Sequence, residues 1–143
     1  MTGDRVLLVD DEEDFTEALA KRLEGRGLKV TTAESGAAAL EKIRARDFDT
    51  VVLDLAMPGM DGIETLRRIK AEDPDVQVIL LTGHGTVPSG VEAMKLGAID
   101  FLQKPATFDE LLEKIKEAGA KKALLVEKRT EEQVDEILRG KGW

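Results

Sequence analysis

Apolar residues in this chain gather into five short runs: Val6 to Val9, Leu28 to Ala33, Thr50 to Leu53, Val76 to Leu81 and Ala98 to Leu102. Several are continuous rather than alternating, which is the pattern of parallel strands covered on both faces. Helical spacing fills the gaps between them. Phe15, Ala18, Leu19, Arg22 and Leu23 share one face ahead of Gly25 and Gly27, which act as stops. Ser35 is placed to cap a helix carrying Ala39, Leu40 and Ile43, and Asp61 one carrying Ile63, Leu66 and Ile69 that ends before Pro74. A shorter helix fits Pro88 to Leu96, with Gly97 as its C-terminal stop. Phe108, Leu111, Leu112, Ile115 and Ala118 form the clearest apolar stripe. Gly119 reads as an interruption of that helix or its first stop, and Thr130 with Gln133 as a capping box that opens one more short helix bearing Val134, Ile137 and Leu138.

Strand and helix alternate five times, which predicts an α/β fold with a doubly wound parallel sheet, five flanking helices and an extra C-terminal helix. Residues 1–120 make the expected domain and residues 121–143 a C-terminal helical extension. In such a sheet, ligands bind outside the carboxyl ends of the strands, where the winding reverses. The residues that follow each strand therefore carry the functional reading.

Those residues form a set. Asp10 and Asp11 follow the first run, Asp54 the third, Thr82 the fourth and Lys104 the fifth. Singly, each is an ordinary cap, turn or edge residue; the fold brings all five to one rim. Asp54 stands at the tip of a buried strand and is followed by Pro58-Gly59, a pair suited to a type II turn.

Composition narrows the classes. The 143 residues are enough for one compact domain with a real core. With 29 acids against 21 bases, the net charge of −8 disfavours direct contact with nucleic acid or anionic lipid. The absence of cysteine excludes disulfides, thiolate metal sites and a cysteine nucleophile. No apolar run is long enough for a membrane span, and the N-terminus has no signal-peptide character, so a cytoplasmic domain is expected.

The stretches "VLLVDDEED", "VVLDLAMPGMDG", "LLTGHG" and "GAIDFLQKP" together resemble the receiver domain of two-component response regulators (the CheY-like superfamily) over residues 5 to about 118. The resemblance implies a flavodoxin-like sheet in strand order 2-1-3-4-5. It implies that Asp54 accepts a phosphoryl group from a histidine kinase or phosphotransfer protein, giving an aspartyl phosphate. Asp11, Asp54 and the backbone carbonyl of Ala56 would bind Mg²⁺ directly, and Asp10 largely through water. Lys104 and Thr82 would contact the phosphoryl oxygens, Thr82 and Phe101 would form the conformational switch, and Lys104-Pro105 would be cis. The donor set agrees on chemical grounds, because clustered carboxylates repel unless a cation lies among them, and oxygen-only ligands suit Mg²⁺.

The site-flanking positions Ala56 and His84 vary among receivers; Ala56 offers no polar side chain, and His84 is the only histidine. Ala106 follows Lys104-Pro105 where many receivers carry phenylalanine. Two other classes compete. A phosphatase of the haloacid dehalogenase type also uses a strand-end aspartate but needs a second acid where Ala56 stands. A phosphorylation-independent pseudo-receiver would not need the full set of acids with Thr82 and Lys104. The tail is expected to fold as helix and either cap its own domain or pair with a second protomer as a homodimer.

Overall fold

The computed structural model describes residues 4–55, 62–82, 94–103 and 106–140. In chain order the elements are β1 (Arg5–Val9), α1 (Glu13–Glu24), β2 (Lys29–Ala33), α2 (Gly36–Ala45), β3 (Thr50–Asp54), α3 (Gly62–Glu72), β4 (Gln77–Thr82), β5 (Asp100–Gln103) and α4 (Phe108–Gly140). The five strands form one parallel sheet in the order β2-β1-β3-β4-β5, the expected doubly wound topology. Four helices occur among the described residues. Most of the helix expected over Pro88 to Leu96 lies outside them, as does the expected Asp61 cap; Met94 and Lys95 are helical, and Gly97 follows with φ 109°.

The period-2 alternation of each strand divides the core into two layers. Leu7, Val9, Val51, Leu53, Val78 and Leu80 pack against α2 and α3 through Ala39, Leu40, Ile43, Leu66 and Ile69. Val6, Leu8, Val52, Ile79 and Leu81 face the other way, onto Leu19, Ala20 and Leu23 of α1 and Leu111, Leu112, Ile115 and Ala118 of α4. The continuous apolar runs exist because both faces of the inner strands are covered. Ser35 caps α2 as expected, its hydroxyl accepting the Ala38 N–H at 3.1 Å.

Two expectations need correction. The inner face of α1 is Thr16, Leu19, Ala20 and Leu23, whereas Phe15 and Ala18 are exposed. Thr16 can be buried because its hydroxyl donates to the Glu12 carbonyl at 2.9 Å. The C-terminal extension is helical, but Gly119 does not stop the helix and Thr130 does not cap a new one. α4 runs unbroken through both, and the Thr130 hydroxyl donates back to the Val126 carbonyl four residues earlier. At Gly119 the Asp4 carboxylate comes close to the helix, where a Cβ would lie 2.6 Å from one of its oxygens unless that side chain moved.

Lys70 at the end of α3 shows how a polar pin shapes the base of the sheet. Its ammonium donates to the carbonyls of Pro74 at 2.8 Å and Val76 at 2.9 Å, fixing the turn into β4. Burial lowers its pKa from the ordinary 10.5, and the nearby charges of Asp73 and Asp75 partly offset this. A lysine whose folded pKa is depressed favours the neutral amine in the fold. Stability therefore rises with pH only in the alkaline window between the depressed value and 10.5, and is flat around neutrality. Lys70→Met is expected to cost about 1–3 kcal/mol, because two carbonyls lose a charged donor. Urea melts of the two proteins at pH 7 check this, and equal midpoints would contradict it.

Candidate functional site

The carboxyl ends of β1 and β3 are adjacent, since Val9 pairs with Leu53 in the register. This juxtaposition brings together Asp10, the residue after β1, and Asp54, the last residue of β3. Both are 5% exposed, unusual for carboxylates in a fold of this size. Glu12, on the turn into α1, joins them: one carboxylate oxygen from each of Asp10, Glu12 and Asp54 lies within 4.8 Å of the others. The turn is held locally, with the Glu12 N–H donating to Asp10 Oδ1 at 3.0 Å and the Asp10 N–H to the Ala33 carbonyl at 3.1 Å.

Beneath the acids the site is apolar. A cavity of about 10 Å³ is lined by Leu8, Val52 and Leu81 of the sheet, by Asp10 and Asp54, and by Phe15 and Thr16 of α1. That is barely room for one water. The carboxylates are thus held against a largely apolar floor. On the far side, the Leu55 N–H reaches the Leu81 carbonyl at 3.4 Å and the Gly62 N–H the Leu55 carbonyl at 3.3 Å. These bonds fix the chain on both sides of the segment after Asp54.

The structure brings together Asp10 and Asp54, two of the three acids expected at the metal, and adds Glu12, which the sequence reading did not single out. The signal was present in the unbroken acidic run from Asp10 to Asp14, but spacing alone does not say which members turn inward. Asp11 is exposed and stands outside this group. The backbone of Thr82 ends β4 opposite Gln103, the residue before Lys104. The Thr82 side chain, Ala56, the Pro58-Gly59 turn, His84, Lys104 and Pro105 lie outside the described residues. Phe101 lies on β5 opposite Leu80 and is 38% exposed, so its ring is not part of the core.

The donor set fits Mg²⁺. It is made of oxygen alone, two of its members are buried, and at this spacing the negative charges repel, a cost that a shared hard cation would relieve.

Comparisons with known proteins agree with this geometry. The model of the response regulator receiver domain family matches residues 6–116. The chain is 44% identical over 127 residues to the C4-dicarboxylate transport transcriptional regulatory protein DctD of Pseudomonas aeruginosa, covering 88% of this chain and 27% of that protein. It is 41% identical over 117 residues to the transcriptional regulatory protein FixJ of Bradyrhizobium diazoefficiens, covering 82% of this chain and 57% of that one. Among solved structures, a response regulator receiver domain protein from Clostridium thermocellum superposes with a TM-score of 0.81 at 36% identity, covering 85% of this chain and 98% of the other. The chain belongs to the response regulator receiver domain family, the phosphoacceptor modules of two-component signalling. It spans little more than a quarter of DctD and just over half of FixJ. Neither the phosphatase nor the pseudo-receiver reading is favoured.

Proposed function

We propose that this chain is a phosphorylation-driven switch in which Asp54 is the phosphoacceptor. The observation that carries this reading is the burial of Asp54 and Asp10 side by side at the carboxyl end of the sheet, over a largely apolar floor. A carboxylate so held is aimed, and aiming is most of what phosphoryl transfer asks of a protein. An Asp54 carboxylate oxygen attacks the phosphorus of a phosphohistidine on a kinase or phosphotransfer protein. The P–O bond forms as the P–N bond breaks, and the imidazole leaves with the electron pair. The product is a mixed anhydride, the aspartyl phosphate. Asp10, Glu12 and Asp54, with Asp11 and the Ala56 carbonyl as further candidates, would hold Mg²⁺. When bound, Mg²⁺ supplies positive charge against the incoming phosphoryl oxygens. In this reading Lys104 supplies a second positive charge to the phosphoryl group, and the Thr82 hydroxyl donates to a phosphoryl oxygen.

The response follows from the same contact. Drawing Thr82 toward the phosphate vacates space into which the Phe101 ring, now outward, turns. Phe101 lies on the edge strand, so the change remodels an exposed face that a downstream target can read. The partners in this reading are a histidine kinase or phosphotransfer protein, a downstream target and a second copy of the chain. The setting is the cytoplasm, residues 1–120 are the receiver, and residues 121–143 extend it.

Incubation with acetyl phosphate and Mg²⁺ is expected to add one acid-stable, base-labile phosphate that EDTA prevents. Failure to incorporate phosphate under these conditions would overturn the proposal. The lifetime of that phosphate rests on the flanking residues. Ala56 cannot position an attacking water, so Ala56→Asn is expected to shorten the half-life roughly tenfold, the worth of one positioning contact. Release of inorganic phosphate timed on both proteins checks this, and equal decay rates would show that position 56 does not shape the water path.

A further inference from the structure

At the end of the sheet opposite Asp54, α4 leaves the apolar core. Gly119 is the last buried residue of the helix, and from Ala123 to Arg139 every residue is exposed. Apolar burial therefore contributes little to holding these turns, Leu125 and Val126 being 36% and 44% exposed. Two cations hold them. The Lys122 ammonium donates to the Phe48 carbonyl at 2.7 Å, lies 3.9 Å from Asp49 Oδ1, and keeps only 12% of its side chain exposed. Seven residues on, two turns along the same face, the Arg129 guanidinium meets an Asp75 carboxylate oxygen at 2.9 Å, and Asp75 is itself 13% exposed. Between these two points the helix stands off the domain, leaving an open cleft of about 660 Å³ with Asp47 and Asp49 on one wall and Ala123 and Val126 on the other. The acids are fixed in place: Asp49 Oδ2 accepts the Arg5 N–H at 2.8 Å, and the Asp75 carbonyl accepts the Gln77 side-chain amide at 2.9 Å.

We propose that Lys122 and Arg129 are positioning residues that form a two-point ionic clamp, strapping α4 across the base of its own receiver. The rigid body then extends to Arg129, and the free arm begins near Thr130 rather than at Gly119. A helix pinned at two points seven residues apart has one direction relative to the sheet. A change in the receiver therefore swings the arm, with its exposed Val134, Ile137 and Leu138, instead of being lost in a loose joint. Because only charges hold the second point, salt weakens it while leaving the core untouched.

Hydrogen exchange on the full chain tests the clamp. Amides of residues 123–129 are expected to exchange more slowly than those of 131–139 at low salt, and to lose that protection in 1 M NaCl. Arg129→Gln and Asp75→Asn should each speed exchange in 123–129 by roughly two- to fivefold, the range of a partly exposed ion pair. Residues 108–118 and phosphate uptake from acetyl phosphate should not change. The double variant Asp75→Arg with Arg129→Asp should restore protection, which a merely structural loss would not do. Wild-type exchange in 123–129 as fast as in 131–139, or a folded charge-swapped variant without recovered protection, would overturn the proposal.

Discussion

Gly62→Ala is expected to destabilise the protein by about 3 kcal/mol or more and to impair phosphorylation as well. Gly62 opens α3, where alanine would ordinarily gain about 1 kcal/mol in helix propensity. Sterics outweigh that gain. A Cβ on residue 62 would lie 2.4 Å from Leu55 Cα and 2.8 Å from the Leu55 carbonyl oxygen, and backbone atoms cannot rotate away as a side-chain tip can. Relief requires moving Leu55 or the start of α3. Leu55 directly follows Asp54 and accepts the Gly62 N–H, so the displacement reaches the phosphoacceptor. Small domains have only about 5–15 kcal/mol of total stability, so such a loss is large. Denaturant melts should show the drop, and labelling under conditions where the variant is still folded should show slowed uptake. A variant as stable as the wild type would mean that the Leu55–Gly62 contact is looser than described.

The second large effect concerns the acids. Asp10 and Asp54 place carboxylate oxygens within 4.8 Å in a region almost closed to solvent. Two unit charges at that separation repel by about 3 kcal/mol at an effective dielectric of 20, and water and the other partners of the two acids reduce this. Asp54→Asn removes the repulsion without changing the volume. In Mg²⁺-free buffer the variant is expected to be more stable than the wild type by about 1–2 kcal/mol, or several degrees in Tm. Added Mg²⁺ should raise the wild-type Tm by mass action and leave that of the variant nearly unchanged, narrowing or reversing the gap. Calorimetric scans of both proteins with EDTA and with Mg²⁺ make the comparison. A destabilised variant that still responds to Mg²⁺ would contradict the account.

The sheet was legible because burial on both faces writes itself as unbroken apolar runs; Val51 to Leu53 and Val78 to Leu81 admit little else. The face of α1 was misread by one residue, since a pattern of apolar letters passes over Thr16, whose hydroxyl is satisfied by the helix's own backbone. The same habit placed Phe15 inside when its ring borders the acidic site at the surface. Gly119 misled for a different reason. Glycine marks helix ends in sequence, yet here it admits the Asp4 carboxylate to the helix surface, a contact made across the fold and invisible from neighbours along the chain. At the site, Asp10 and Asp54 could be read because each ends a strand and parallel topology brings those ends together. Glu12 could not, because the turn that folds it back onto Asp54 is a property of three dimensions. The roles of Thr82, Lys104, Ala56 and His84 rest on motif resemblance to other receivers.

The central claim is that Asp54 itself carries the phosphate. Borohydride reduces an acyl phosphate to the alcohol, marking the acceptor permanently. After phosphorylation with acetyl phosphate and Mg²⁺, reduction and proteolysis, mass spectrometry of the peptides spanning β3 and the β1–α1 turn is expected to find homoserine in place of Asp54, with Asp10, Asp11 and Glu12 unchanged. Homoserine at Asp10 or Asp11, or the one-carbon-longer alcohol 2-amino-5-hydroxypentanoic acid at Glu12, with Asp54 intact, would contradict the account.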